Sequence, residues 1–197
     1  MSEPVPIGEA APTRKRRDAV RNRDQVLDTA AALFAARGDE VQMADVARAA
    51  GVGVGTIYRH FPTRRALIAA VAHRRFAEIM AYARRSSMPN PDVRQALTDL
   101  FTHIAQVHER GRALSGAIES VLGDTEPRGE IRAEFATLGA ELLARGHADA
   151  TLRADATVAD LYMIVGAVAA VARGGFGDWR RFIELALDGL RPTGVIP

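Results

Sequence analysis

A short polar run in the first third of the chain carries the residue types that bind phosphate, not those that break covalent bonds. Hydroxyl, guanidinium and imidazole groups follow one another at Thr56, Tyr58, Arg59 and His60. Such groups donate hydrogen bonds to phosphate oxygens, and arginine can do so through two parallel N–H groups. The chemistry that this run indicates is non-covalent binding of a polyanion.

Basic residues are concentrated in the same part of the chain. Residues 1–85 contain 15 Arg or Lys and 9 Asp or Glu, a formal charge of +6, whereas residues 86–197 carry −4. A basic stretch precedes the first predicted helix, at Arg14, Lys15, Arg16, Arg17, Arg21 and Arg23. An N-terminal part that meets nucleic acid, with an arm on phosphate or in the minor groove, would explain this asymmetry. An uneven solvated surface would also explain it.

Catalytic and metal-binding sets of residues are not evident in the sequence. The chain has no cysteine, which excludes disulfides and thiolate nucleophiles. We find no nucleophile beside a base, no motif of paired carboxylates and no glycine loop between a strand and a helix. His103 and His108 are five positions apart, a poor spacing for two ligands on one helix face. We therefore expect no enzymatic activity, no metal site and no cofactor.

The elements that position the polar run are predicted to be helices, because apolar residues recur with helical periodicity almost throughout. The predicted helices cover residues 24–37, 43–50, 54–61, 63–85, 91–111, 113–122, a stretch from 127, a stretch from 155, and 177–189. We expect Asn90 to cap the fifth helix with Pro91 as its first residue, and Asp155 to cap the eighth. Two short helices joined by a turn at Gly51 have the geometry of a helix-turn-helix.

Residues 20–70 resemble the tetracycline-repressor (TetR) family of bacterial transcription regulators. The resemblance rests on Leu33-Phe34 and Gly38, Val46-Ala47, Ala50-Gly51-Val52, Gly55-Thr56-Ile57-Tyr58, His60-Phe61-Pro62, Arg64 and Leu67. It implies a recognition helix in the major groove, with DNA-binding residues Val54, Gly55, Thr56, Tyr58, Arg59, His60 and Arg64. By the same resemblance, Thr56, Tyr58, His60 and Arg64 hold phosphates. Residues 146–160 are similar to regulators with an SbtR-like C-terminal domain.

Some positions depart from the usual sequence of that family. Gln42 and Met43 stand where a hydroxyl residue commonly opens the second helix, and Gly53 stands where Ser or Thr precedes the third. Arg64 replaces a more usual lysine. Base recognition is therefore expected to depend on Arg59 and on apolar contact between Val54 and a thymine methyl group.

These observations predict an all-α fold with a disordered tail at residues 1–13. A three-helix helix-turn-helix domain at 14–66 is joined by a long helix to a C-terminal domain at 67–191. The C-terminal domain is expected to serve dimerisation and effector binding. Candidate effector residues, which could equally be ordinary core, are Phe101, Ile104, His108, Ile118, Phe135 and Met163.

The eighth and ninth helices are expected to pair with their copies in a homodimer. One side of the eighth helix has only small side chains, which would let another helix approach closely: Gly166, Ala167, Ala169 and Ala170. The ninth has an apolar face of Trp179, Phe182, Ile183, Ala186 and Leu190. Intrachain core is the other interpretation of both faces.

The expected function is a cytoplasmic, ligand-responsive repressor that binds double-stranded operator DNA. The effector, bound in the C-terminal domain, would displace the fourth helix. Two alternatives stay open: a non-specific architectural DNA-binding protein, and a regulator controlled by a protein partner. We expect no membrane association, because the longest apolar run, residues 161–172, is shorter than the roughly 20 residues that a bilayer-spanning helix needs.

Overall fold

The computed structural model describes residues 14–123, 127 and 129–192, with side chains from residue 21 onward. The predicted tail at residues 1–13 lies outside the described residues. Within these ranges the chain forms helices and no strand, which confirms the all-α prediction. The α-helices are α1 (Arg14–Arg37), α2 (Met43–Ala49), α3 (Val54–His60), α4 (Arg64–Tyr82), α5 (Val93–Arg110), α6 (Arg112–Leu122), α7 (Gly129–Ala148), α8 (Val158–Gly174) and α9 (Trp179–Gly189).

The buried residues of the described chain form two hydrophobic cores, and α4 contributes to both. The N-terminal core contains buried residues of α1, α2, α3 and the first half of α4, such as Leu67 and Ile68. The C-terminal core joins α5, α7, α8 and α9 with the second half of α4, at Ile79 and Met80. A displacement of α4 in one core therefore changes packing in the other.

Helix α6 packs on the N-terminal core although it follows α5 in the chain. Its buried residues Leu114, Ala117 and Ile118 all belong to that core. At its far end the Ser120 hydroxyl donates a hydrogen bond of 3.2 Å to the Asp39 carboxylate, in the turn after α1. Ile118, predicted to be an effector residue, is thus an internal contact between α6 and the N-terminal helices.

The predicted start of α5 is wrong by two residues. Asp92 is the N-cap and accepts a hydrogen bond of 3.0 Å from the Gln95 amide. The Asn90 side chain instead accepts from the Asp92 amide at 3.0 Å. Asn90 therefore forms a turn with the residue two positions on, a local alternative that Asn favours as strongly as capping.

The predicted cap of α8 is also wrong. Thr157 caps that helix and accepts from the Asp160 amide, while the Asp160 carboxylate accepts from the Thr157 amide at 2.8 Å. This reciprocal arrangement satisfies two backbone donors at once. Asp155 pairs with Arg153 at 2.6 Å instead.

Two further boundaries differ from the sequence expectation. Helix α1 begins at Arg14, ten residues earlier than predicted, so the backbone of the basic stretch is helical. Helix α4 ends at Tyr82 and continues as a π-helical turn, Ala83–Ser87, in which the Met88 amide donates to the Ala83 carbonyl at 2.9 Å.

The apolar face of α9 is mostly intrachain core. Trp179, Ile183 and Leu190 are buried against the C-terminal core. These three residues are therefore intrachain core, the second of the two interpretations of this face. The outer side of α9 still exposes Leu185, at 53%.

We expect Ile118→Ala to lower the free energy of unfolding by about 2–5 kcal/mol, because it leaves a cavity where α6 meets the N-terminal core. Denaturant unfolding followed by circular dichroism measures this. Gly116→Ala, on the same helix with no atom within 4 Å of the added Cβ, is the control and should not destabilise. Equal stability of the two variants would contradict the packing described for α6.

Candidate nucleic-acid interface and ligand cavity

Helix α3 presents one polar face to solvent and anchors the other in the core. Ile57 is fully buried and Phe61, at the end of the helix, is 3% exposed. On the outer side Val54 and Tyr58 are 43% and 47% exposed, and Arg59 is exposed as well. Large side chains held outward by a fixed inner face form a rigid surface for contact with another molecule.

The turn that sets α3 against α2 depends on its glycines and on local hydrogen bonds. Gly51 adopts a φ of +66°, which residues with a Cβ seldom take. Helix α2 begins where the Asp45 carboxylate accepts from the Gln42 amide at 3.1 Å. Helix α3 begins after Gly53, whose carbonyl accepts from the Thr56 amide at 2.8 Å. Gln42 therefore opens α2 with the help of Asp45, in place of a hydroxyl cap.

The DNA-binding residues predicted on α3 share one end of the molecule but differ in exposure. Val54, Gly55, Tyr58 and Arg59 are exposed, whereas Thr56 and His60 are half-buried.

Arg64 is held by the N-terminal domain itself. Its guanidinium donates to the Asp39 carboxylate at 2.7 Å and to the Val41 carbonyl at 3.1 Å, and it lies over the Phe34 ring. The hydrogen bond from Arg64 lowers the pKa of Asp39, and the bond from Ser120 lowers it further. Arg64 therefore joins the start of α4 to the turn after α1, and a phosphate there would share a guanidinium that is already engaged.

Further positive charge surrounds α3. The Arg23 guanidinium lies 5.6 Å from the centre of the Phe61 ring, at the end of this helix. The Arg48 side chain on α2 is 78% exposed and pairs with Asp45 only at 3.5 Å. This end of the molecule therefore combines exposed polar side chains with arginines, as a phosphate-binding surface requires.

A second site is a cavity of about 550 Å³ that borders α4, α5, α6, α7 and α8. Three of the predicted effector residues line it: His108, Phe135 and Met163. Phe101 and Ile104 are 1% and 2% exposed and belong to the C-terminal core instead. Three more side chains with charge, which sequence analysis did not identify, line the cavity: Glu119, Arg132 and Arg173.

A chain of hydrogen bonds leads from the cavity to α4. His108 is 3% exposed, and its Nδ1 lies 3.5 Å from the Ser115 hydroxyl. That hydroxyl accepts from Arg75 of α4 at 2.9 Å, and Arg75 also donates to the Val107 carbonyl at 2.9 Å. Burial lowers the pKa of His108 to about 3, and the charges of Arg75 and Arg173 act in the same direction. His108 is therefore neutral near pH 7.

Arg75 could have been identified from the sequence, but sequence analysis missed it. It falls on the buried stripe of α4, between Val71 and Ile79, and a charge on such a stripe is a signal in itself. Ser115 and Arg173 gave no such signal, because their roles arise only where separate helices meet.

We expect the buried neutral state of His108 to make stability depend on pH. Its pKa in the folded protein lies below the ordinary 6.5, so between those values the unfolded chain binds a proton that the folded protein excludes. The stability linked to His108 is complete above pH 6.5 and decreases as pH falls toward 3. From pH 7 to pH 5 the expected loss is about 2 kcal/mol.

Denaturant unfolding at both pH values measures this loss, with His108→Asn as the non-titrating control. The variant should lose about 2 kcal/mol less than the parent over the same interval. An identical pH dependence of the two proteins would mean that His108 is not held neutral.

Comparison with known proteins shows which family this chain resembles. Residues 26–71 match the bacterial regulatory proteins of the tetR family, and residues 90–192 match the SbtR-like C-terminal domain of transcriptional regulators. The structure of a TetR transcription regulatory protein from Mycobacterium vanbaalenii is 34% identical, covers 90% of this chain and 99% of its own, and has a TM-score of 0.64. The TetR regulator SCO0520 from Streptomyces coelicolor is 27% identical, covers 87% and 99%, and has a TM-score of 0.62.

A relative with a named role matches over a shorter range. The transcriptional repressor KstR of Mycolicibacterium smegmatis is 31% identical over 112 residues, which is 55% of each chain. The match thus spans about half the length of that relative. The two family matches and the full-length structural match agree, and the chain belongs to the TetR family of bacterial transcription regulators, with an SbtR-like C-terminal domain.

Proposed function

We propose that this protein is a homodimeric repressor that binds operator DNA through α3 and is released by a small molecule bound in the cavity. The observation that carries the proposal is the exposed face of α3, where Tyr58 and Arg59 project beside Val54 while Ile57 fixes the helix from within. Repression is the role named for the KstR relative. In a helix-turn-helix the second helix lies in the major groove, where arginine reads guanine through two hydrogen bonds.

The proposed contacts divide into base reading and phosphate binding. In this proposal Arg59 and Val54 contact bases, while Thr56, Tyr58 and His60 bind phosphates. Gly55 lies where the protein backbone comes closest to the DNA. Arg64 is proposed as a phosphate contact that exchanges part of its bond to Asp39 for a phosphate oxygen. Phosphate contacts of this kind give affinity with a strong salt dependence.

The proposed dimer uses the outer faces of α8 and α9. On α8 a stripe at helical spacing is exposed or half-buried: Ala159, Met163, Gly166, Ala167 and Ala170. On α9 the matching side consists of Phe182, Leu185 and Ala186. Small residues on one helix and larger apolar ones on the other favour close packing of two copies, and two-fold symmetry suits a DNA site with two half-sites.

The proposed effector site is the 550 Å³ cavity, with His108, Phe135 and Met163 as ligand contacts. Phe101 and Ile104 support it from the core behind. The cavity borders α4, so a ligand that prefers one position of this helix would change the affinity for DNA, and DNA would change the affinity for the ligand equally.

No helix among the described residues is long and apolar enough to cross a membrane. Likewise, no group of three or more His, Asp or Glu side chains in that part of the chain could hold a metal ion.

We expect Arg59→Ala to weaken binding to the selected operator by about 1–3 kcal/mol and to relax specificity at one base pair. The operator is first selected from random duplex DNA, and affinity is then measured by fluorescence anisotropy at near-physiological salt. Arg181→Ala on α9, whose side chain is 63% exposed, is the control and should bind as the parent does. Failure to enrich any palindrome, with steep salt dependence alone, would favour the architectural alternative.

We expect Leu185→Lys to convert the dimer into monomers, because a charge at the centre of an apolar contact would be desolvated without a partner. Sedimentation velocity measures the mass of the particle. The matched control is Glu184→Lys, the neighbouring position on the solvent side of α9, where the side chain is 63% exposed. A dimer that survives Leu185→Lys, or is lost equally in both variants, would contradict the proposed interface.

A further inference from the structure

His108 is a buried polar residue whose side chain reaches the cavity from α5. It lines the cavity although it is only 3% exposed. Its Nδ1 faces the Ser115 hydroxyl, and no described residue forms a hydrogen bond with its Nε2. In the described part of the chain, the polar side-chain atoms that are sealed from solvent without a partner are the Ser87 hydroxyl and Trp179 Nε1. Nε2 of His108 is not one of them, so this atom is accessible from the cavity.

Hydrogen bonds on the other side of the imidazole ring determine which nitrogen carries its proton. Arg75 can only donate, so the Ser115 oxygen is the acceptor in their bond of 2.9 Å. The Ser115 proton is then directed to the other described partner of that hydroxyl, Nδ1 of His108, at 3.5 Å. His108 is neutral near pH 7, because burial lowers its pKa to about 3.

A neutral imidazole whose Nδ1 accepts a hydrogen bond carries its proton on Nε2. His108 therefore presents an N–H donor to the cavity, held in one orientation by Ser115. A buried donor that is left without an acceptor destabilises the state that contains it. An acceptor atom on a bound ligand would satisfy this donor.

Much of the cavity wall is apolar and partly aromatic. Phe76, Phe135, Tyr162 and Val165 contribute to it. The Phe135 and Tyr162 rings have their centres 4.4 Å apart and are tilted by 49°, and the Tyr162 hydroxyl donates to the Arg132 carbonyl at 2.7 Å. A ligand that fills this space therefore has an apolar body as well as an acceptor.

We infer that the cavity binds a carbonyl compound with an apolar body, and that Nε2 of His108 donates the hydrogen bond that positions the carbonyl oxygen. A carbonyl oxygen only accepts, so this single donor satisfies it. A hydroxyl group would also need an acceptor, which His108 does not offer, and an ammonium group would place a donor against a donor. This inference rests on the proposed function, because it names the chemical class of the effector.

The carbonyl would bind where three helices are held together. His108 lies on α5, Ser115 on α6 and Arg75 on α4. An acceptor on Nε2 makes Nδ1 a better acceptor, which strengthens the hydrogen bonds from Arg75 through Ser115 to His108. Ser115 is a positioning residue in this arrangement, since it fixes the tautomer of His108 without contact to the ligand.

The test is a titration of the isotope-labelled full-length protein at pH 7.5, followed through its amide NMR signals, with three probes of one skeleton. 4-Phenylbutan-2-one carries the carbonyl, 3-methylbutylbenzene has a methyl group in place of the oxygen, and 4-phenylbutan-2-amine has an ammonium group there. The measured quantity is the ratio of the ketone affinity to the hydrocarbon affinity. Transfer of each probe from water is the same for every protein variant, so a change in this ratio reports the hydrogen bond alone.

The affinity ratio should be about 10-fold lower in His108→Leu than in the parent, as expected for one buried hydrogen bond between neutral groups. His108→Gln, which retains an N–H donor near the position of Nε2, should keep most of the ratio. The amine should bind better relative to the hydrocarbon in His108→Leu than in the parent, because the opposing donor is gone. His147→Leu, at an exposed histidine of α7, is the control and should leave the ratio unchanged.

A second measurement uses the unaltered protein and does not depend on the folding of a variant. The nitrogen-15 NMR spectrum of its imidazole rings should show His108 with the proton on Nε2, and its signal is assigned by its absence from His108→Gln. The Nε2 signal should shift when the ketone binds and should shift less with the hydrocarbon. A proton on Nδ1, or an Nε2 signal that does not respond to the bound ketone, would overturn the inference.

The outcomes separate this inference from the proposed function. An affinity ratio that is the same in the parent and in His108→Leu, or no binding of the ketone, would overturn the carbonyl assignment. Operator binding by the same preparation, and its release by any probe that binds, judge the proposed function independently. Specific operator binding by a protein that does not bind the ketone would leave the repressor proposal standing and refute only the ligand class.

Discussion

The structure depends on how the buried charge of Arg75 is satisfied. A guanidinium removed from water costs several kcal/mol unless its N–H groups find acceptors. Arg75 meets this need with the Ser115 hydroxyl at 2.9 Å and the Val107 carbonyl at 2.9 Å. Those acceptors belong to α6 and to the end of α5, so the requirement fixes both helices against α4. If one of these helices moved away, Arg75 would be left as a buried charge without its hydrogen bonds. We therefore expect α4, α5 and α6 to keep or to lose this arrangement together.

Helix α6 connects this constraint to the proposed regulation by a ligand. Its Glu119 lines the cavity and its Ser115 lies beside His108, while Leu114 and Ile118 belong to the N-terminal core. The cavity wall is therefore attached to the helices that position α3. A ligand can shift DNA affinity only if it binds two arrangements unequally, and a wall shared between two cores is a place where such a difference arises. The proposed coupling between the cavity and the N-terminal core needs no long pathway, because α6 contacts both.

Sequence reasoning succeeded where local signals determine the structure. The turn at Gly51, the exposed face of α3 and the buried Ile57 follow from residue spacing, and family resemblance added their meaning. The predicted N-caps at Asn90 and Asp155 were wrong, because both side chains can bond to other nearby groups as well as to the start of a helix. The position of Ile118 in the N-terminal core depends on long-range packing, because the spacing of α6 could not assign it to either core. The charged and polar residues beside the cavity were predictable only in part: Arg75 was visible as a charge on an apolar stripe, whereas Ser115 and Arg173 are brought near Arg75 only by the fold.

The proposed effector cavity and the proposed dimer surface meet at the same face of α8. Met163, Gly166 and Ala167 line the cavity and also lie on the stripe proposed to contact a second copy. Met163 is 67% exposed in the single chain, so the apolar side of the cavity opens toward this face. A second copy packed there would exclude water from the cavity and strengthen the polar contacts of a bound ligand. The proposed dimer would thus cover the side of the proposed effector site that a single chain leaves open.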